Sequence, residues 1–254
     1  MDGRLASKNA IISGGGSGIG FAIAQLFGRE GARVSILERD TTLAEKAETE
    51  LREEAIDAVA LCVDVADARG VAQAFMGIVD RYGGTVHVLV NNAGIAEFGS
   101  VEDTSLDVWE RVMAVNVTGA FLCSQAVLSQ MKQCGGAIIN IASIAGLVGI
   151  PKMAAYCAAK AAIIGLTRQM AADYTALGVR VNCLCPGRVA GTAIHQEILQ
   201  RDTNAETQAK LAKYPIGRFG RPEEIAQAAL FLASDAASFV SGAAFCVDGG
   251  MTAI

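Results

Sequence analysis

Residues 9–20 read NAIISGGGSGIG, a short apolar run that breaks into glycine. Gly14, Gly18 and Gly20 have the spacing Gly-x-x-x-Gly-x-Gly, with Gly15 and Gly16 as extra gaps. An amphipathic segment of helical period follows over 18–30. A strand that turns through glycines into a helix lets an anion approach the backbone. The helix then meets that anion with free N–H groups and its positive dipole end. In this strand–turn–helix context the cluster predicts a dinucleotide pyrophosphate site, held by Gly14, Ser17, Gly18, Ile19 and Gly20.

The same alternation continues outward from this first unit. Strands are expected at 9–14, 33–38, 58–64, 86–92, 136–143, 179–186 and 243–250, all rich in Val and Ile. Helices are expected near 18–30, 41–55, 67–82, 104–131, 152–177, 191–213 and 222–233. Several of the strands are apolar without interruption, which marks strands covered on both faces, as in a parallel sheet. Short strand–helix joints imply right-handed crossovers and an α/β, doubly wound parallel sheet of about seven strands, the Rossmann fold. No linker or composition break divides the chain, so 1–254 is expected to form a single domain. The stretch 187–221, after Pro186-Gly187, is more polar and is expected to be a substrate flap.

Composition narrows the function. Of 254 residues, 52% are apolar and 19% charged, which excludes a disordered chain. The net charge of −5 comes without a basic tract, so nucleic acid is not an expected partner. No run of eighteen uninterrupted apolar residues and no leader-like N-terminus is found, so no membrane partner is expected. The seven cysteines, an odd number, are read as buried thiols in a reducing cytoplasm rather than as disulfides or metal ligands. His87 and His195 lie far apart in sequence with no obvious partner, and no metal site is expected.

Two further positions concern the dinucleotide. Glu38 ends the second strand about twenty residues beyond the glycines, where a carboxylate accepts both ribose hydroxyl hydrogens and repels a 2′-phosphate. That favours NAD. Arg39 beside it leaves NADP possible, because a guanidinium holds such a phosphate, unless the two side chains pair. Asp64 and Asn91, after the third and fourth strands, sit where the adenine end and ribose would lie, or else cap the next element.

The stretch YCAAK, 156–160, carries the chemistry. The i, i+4 spacing puts Tyr156 and Lys160 on one helix face. A cation about 4 Å from the phenol at an effective dielectric of about 20 contributes roughly 4 kcal/mol, or about three pKa units. Tyr156 would then titrate near pH ~7 and exchange a proton with an alcohol.

These features together resemble the classical short-chain dehydrogenase/reductase family over nearly the whole chain. The matching residues are the glycine cluster, Asn91-Asn92-Ala93-Gly94, Asn116 in NVTGAF, Ser143 in NIASIAG, Tyr156 with Lys160, Pro186-Gly187, and the ending GRFGRPEEIAQAALFLASDAASFVSGAAFCVDGG. The resemblance implies an oxidoreductase that interconverts a secondary alcohol and its ketone. It implies a catalytic set of Asn116, Ser143, Tyr156 and Lys160, with Ser143 bonding the reacting oxygen and Asn116 holding a water beside Lys160. It also implies cofactor contacts from Val65, Ala93, Gly94, Pro186, Gly187, Val189 and Thr192, with Tyr156 and Lys160 themselves touching the nicotinamide end. One departure stands out: the threonine expected five residues after the proline is Gly191 here, and Thr192 comes one residue late.

The residues 144–155, and Ile95, Ala96 and Phe98, are largely apolar, which suits a small alcohol or ketone without a strong anion. Positions where acyl-carrier reductases of the family carry arginines are Cys134 and Ala172, which counts against a carrier-protein substrate. An NADPH-dependent 3-oxoacyl reductase and a non-catalytic dinucleotide-binding scaffold remain the alternatives. A homotetramer is expected from the family habit and from the apolar faces of 152–177 and the C-terminal segment.

Overall fold

A computed structural model describes residues 3–83 and 85–254. Seven strands form one parallel sheet: β1 Asn9–Ser13, β2 Arg33–Glu38, β3 Ala58–Cys62, β4 Val88–Asn91, β5 Gly136–Ile141, β6 Val179–Pro186 and β7 Ala244–Val247. Their order across the sheet is β3-β2-β1-β4-β5-β6-β7, and every neighbouring pair is parallel. The order reverses at β1, where the chain crosses to β4, and this switch point opens a crevice at the strands' carboxyl ends.

The uninterrupted apolar strands follow from packing on both faces. Ile12, Ile36, Val88, Val90 and Ile139 face one core, with α1 Gly18–Arg29, α2 Thr41–Glu53 and α9 Pro222–Ala233. Their chain neighbours Ile11, Leu37, Leu89 and Ile138 face the other, with α3 Ala68–Arg81, α5 Gly119–Cys134 and α6 Ala154–Tyr174. Successive strand residues point to opposite faces, so a doubly covered strand has no polar side to spare.

Two expected helices come out divided. The segment expected as one helix over 104–131 is α4 Leu106–Met113, a π-helical turn at Ala114–Thr118, and α5. The wide turn carries Asn116 inward, a use of π-turns that recurs at functional sites. The run Leu106–Cys134 is long and apolar enough to cross a membrane by length and composition. Here α5 packs instead on β4, β5 and α3, and leaves Phe121 exposed. The segment expected as one helix over 191–213 is α7 Ala193–Arg201 and α8 Asn204–Leu211. Thr203 divides them: its hydroxyl accepts from the Glu206 N–H while the Glu206 carboxylate accepts from the Thr203 N–H, a closed capping box.

Candidate active site

A cavity of about 820 Å³ lies at the carboxyl ends of β1 to β6. Its first wall is the glycine turn. The Ser13 hydroxyl accepts from the N–H groups of Asn92 and Ala93. The Asn92 amide returns two bonds, to the carbonyls of Ser13 at 3.1 Å and Gly14 at 2.8 Å. A side chain at Gly20 would strike the Gly14 carbonyl, so α1 can approach β1 this closely only with glycine there. Ser17 is the N-cap of α1 and makes no side-chain capping bond. The first N–H groups of α1 therefore face the cavity beside Gly18 and Ile19, both of which line it.

Glu38 lines the same wall and braces it. Its carboxylate accepts from the N–H groups of Gly16 at 3.2 Å, Arg39 at 2.9 Å and Asp40 at 3.2 Å. The Arg39 side chain lines the cavity, and no ion pair joins it to Glu38 among the described residues. Asp64 and Val65 follow β3 into the cavity, Asp64 with its carboxylate turned back on the Ala66 N–H at 2.9 Å. A backbone cradle, open helix N–H groups and a carboxylate at the second strand's end fit a dinucleotide.

Asn91 departs from expectation. Its side chain is buried, and its amide donates to Ser124 Oγ at 3.0 Å and to Asn140 Oδ1 at 2.8 Å. Asn140 donates on to Thr167 Oγ1 at 2.9 Å. This is a polar seam tying β4 and β5 to α5 and α6, beneath the cavity rather than in its wall. Parallel register sets Asn91 directly beside Asn140. The neighbouring Asn92, not singled out from sequence, is the asparagine that holds the glycine turn. Gly20 likewise serves by packing behind the wall.

The second wall carries Ser143, Tyr156 and Lys160 together. Tyr156 and Lys160 are 8% and 4% exposed, both on α6. The Lys160 ammonium donates to the Ile141 carbonyl at 2.9 Å and lies 5.5 Å from the Tyr156 ring centroid. Ser143 caps the short turn Ile144–Gly146, its hydroxyl accepting from the Ala145 N–H at 3.1 Å. Asn116 stands behind Gly94. Its amide donates to the Ile95 and Val112 carbonyls, both at 2.9 Å, while Oδ1 is buried without a hydrogen-bond partner. A side chain on Gly94 would lie 2.7 Å from that Oδ1 and 3.3 Å from Lys160 Nζ, so glycine is what lets the two groups converge.

The electrostatics correct the simple pair argument. Burial pushes the Tyr156 phenol up to about 12, and the nearby Ser143 hydroxyl only partly opposes it. Burial also pushes Lys160 down to about 8. Desolvation disfavours both charged forms, and it outweighs the attraction between ammonium and phenolate that spacing alone predicts near pH ~7. In the free protein burial therefore favours the neutral phenol of Tyr156.

The third wall comes from 187–221, with Gly187, Val189, Thr192, His195, Ile198 and Tyr214 among its lining residues. Thr192 caps α7: its hydroxyl donates to the Val189 carbonyl at 3.0 Å and accepts from the His195 N–H at 3.2 Å. Its methyl group also lies against Gly18, where an added Cβ would meet it at 3.4 Å. The late threonine therefore reaches the cleft after all, because Gly191 turns the chain with a φ of 78°. This wall also brings Arg201, Lys210 and Lys213 to the cavity, where they join Lys152, the one cation within 144–155. His195, expected to lack a partner, accepts from Arg188 Nε at 3.0 Å. His87 accepts from the Asn9 N–H at 3.0 Å. All seven cysteines are free, and no cluster of metal-ligating side chains occurs among the described residues.

A family model described as enoyl-(acyl carrier protein) reductase matches residues 14–252. The chain is 54% identical over its full length to 2-(S)-hydroxypropyl-CoM dehydrogenase 3 of Xanthobacter autotrophicus, covering all of that protein. It is 55% identical over 228 residues to a protein of the same organism named inactive 2-(S)-hydroxypropyl-CoM dehydrogenase 2, covering 89% of this chain and 97% of the other. Among solved structures, a Beutenbergia cavernae protein assigned as an NAD(P)-dependent gluconate 5-dehydrogenase, with NADP bound at low occupancy, superposes with a TM-score of 0.92. It is 37% identical and covers 98% of both chains. The chain belongs to the short-chain dehydrogenase/reductase family and is an NAD(P)-dependent oxidoreductase of secondary alcohols and ketones.

Proposed function

We propose that the protein uses NAD(H) in preference to NADP(H), and interconverts a small secondary alcohol that carries an anionic end with its ketone. The convergence of Ser143, Tyr156 and Lys160 on a cavity that begins at a glycine turn is the observation that carries the catalytic reading. A bound nicotinamide supplies the hydride acceptor or donor. Tyr156 gives its proton to the reacting oxygen during ketone reduction and takes it back during alcohol oxidation. Ser143 bonds the same oxygen and steadies the charge that develops on it. Lys160 restores the phenol's proton, and the open Oδ1 of Asn116 is the acceptor through which that ammonium exchanges with water.

Glu38 supports the NAD preference, since a 2′-phosphate would be repelled by a carboxylate already fixed by three backbone N–H groups. The anionic end is supported by the excess of cations around the cavity, from the third wall and from Lys152. Arg201 pairs with Glu197 and Lys210 with Asp202, whereas Lys152 and Lys213 have no ion pair among the described residues. The hydroxypropyl unit in the relative's name is itself a secondary alcohol. Steady-state rates with a 2-alkanol and its carboxylate-bearing counterpart test this reading. Equal kcat/KM for the two, unchanged in Lys213→Ala, would remove the anionic end from it.

A second reading, an NADPH-dependent 3-oxoacyl reductase, is favoured by the exposed Arg39 on the cavity wall. A strong NADPH preference that relaxes in Arg39→Ala would establish it over the first. A homotetramer is also part of the proposal. Phe239 is fully exposed, and Phe245 on the edge strand β7, Phe121 on α5, and Leu106 and Trp109 on α4 offer further apolar surface for self-association. The seven free thiols suit a reducing, cytoplasmic setting.

A further inference from the structure

Arg188 follows Pro186-Gly187 at the end of β6 and lines the cavity, yet its side chain is only 8% exposed. Burying a guanidinium is costly unless its donors are met. Nε donates to His195 Nδ1 at 3.0 Å. Nη1 stands 3.5 Å from Asp202 Oδ2, and neither terminal nitrogen has a hydrogen-bond partner. Asp202 is engaged more closely by Lys210, at 2.6 and 2.8 Å. Phe219 covers the guanidinium, its ring centroid 4.5 Å from the central carbon. For stability alone, a well-packed apolar side chain in this niche would serve as well or better.

The residues Arg188 joins come from every part of the third wall. His195 lies in α7, and Asp202 immediately follows that helix. Tyr214, beyond α8, accepts from the Arg188 N–H at 2.8 Å. Phe219 sets its ring edge-on to both His195 and Tyr214, at 5.7 and 5.4 Å between centroids. Ile194, next to His195, packs on the small apolar cluster that contains Tyr156. The wall and the proton donor are thus in contact, and Arg188 connects that wall to the sheet.

We propose that Arg188 is a positioning residue: through His195 and Asp202 it holds the third wall against the Tyr156 face, and so governs substrate binding rather than proton transfer. His195 must keep Nδ1 free of a proton to accept from Arg188. Burial, aided by the Arg188 charge, keeps that imidazole neutral to lower pH than usual. The charged and titratable groups about this pair are Asp202, Lys210 and Tyr214. Protonation of His195 removes the acceptor and sets a second cation beside Arg188, so the wall loosens on acidification.

The test compares Arg188→Gln, Arg188→Lys and His195→Asn with the unmodified enzyme by steady-state kinetics from pH ~5 to ~8, the range that brackets histidine titration. Arg188→Gln is expected to raise the alcohol KM about tenfold while kcat falls by much less. Arg188→Lys, which keeps the charge but not the planar fork, should lie between. The unmodified enzyme should show KM rising toward the acidic end of that range, and His195→Asn, whose amide oxygen accepts without titrating, should show a flat KM. A fall in kcat matching or exceeding the rise in KM would overturn the proposal. So would the same pH course of KM in His195→Asn and the unmodified enzyme, and that comparison stands by itself if Arg188→Gln does not fold.

Discussion

The wall formed by the glycine turn and the wall formed by 187–221 enclose the same cavity by different means. The first presents backbone: carbonyls of Ser13 and Gly14 are held by Asn92, helix N–H groups stand open at Ser17, and Glu38 is fixed by three amides. The second presents side chains drawn from a loop, two short helices and a return segment, with the buried Arg188 set between Asp202 and the neutral ring of His195. A backbone cradle suits a pyrophosphate, which NAD and NADP share. A wall of side chains suits the part of the reaction that differs from one member to the next.

The hardest blow to the catalytic face between these walls is Tyr156→Phe. It removes one hydroxyl from a buried ring and is expected to lower kcat about a thousandfold with the fold retained. Turnover by the variant within a few-fold of the original would remove Tyr156 from proton transfer. On the backbone wall, Gly20→Ala presses a methyl group onto the Gly14 carbonyl. A destabilisation of about 2 kcal/mol or more is expected in urea, together with loss of NADH binding by fluorescence titration. An equivalent small-to-large change on the other wall, at exposed positions of α8, should leave stability within about 0.5 kcal/mol.

The buried lysine sharpens the comparison through pH. Lys160 has a folded pKa of about 8, below its unfolded value. Its burial cost is therefore fully present below pH ~8 and is relieved as pH rises toward the unfolded value near 10.4. The difference amounts to about 3 kcal/mol. Tyr156, raised to about 12, acts in the opposite sense only above pH ~10. Cofactor-free enzyme should thus gain stability between pH ~8 and ~10, and Lys160→Met should lack that gain. Identical pH dependence of the two in denaturant titrations would show that the ammonium is not desolvated as described. A smaller loss is expected in Thr167→Val, which breaks the end of the Asn91–Asn140 seam at a cost of about 1 kcal/mol, measured by urea titration.

Much of the first wall was legible because its chemistry is local. Strand, glycines and helix start are contiguous, so Gly14, Ser17, Gly18 and Ile19 could be named from spacing alone, and Tyr156 and Lys160 from one helical turn. Asn91 shows the limit of that reasoning. Asn91 ends β4 and Asn92 follows it, and the alternation of the extended chain sends one side chain to the polar seam and the other to the glycine turn. Which goes where depends on the register with β5, and nothing in the pair itself distinguishes them.

By itself the sequence determined the parallel sheet, through apolar strands that leave no polar face, and the cofactor end, through glycines that permit close approach. It also determined the pairing of phenol and ammonium on one helix face. Only the tertiary structure decided that both are desolvated, that Thr192 reaches the cleft one residue late, and that Arg188, His195 and Asp202 meet. Those outcomes arise from contacts between segments distant along the chain, and burial, which sets the charge state of each group, is a property of the packed whole.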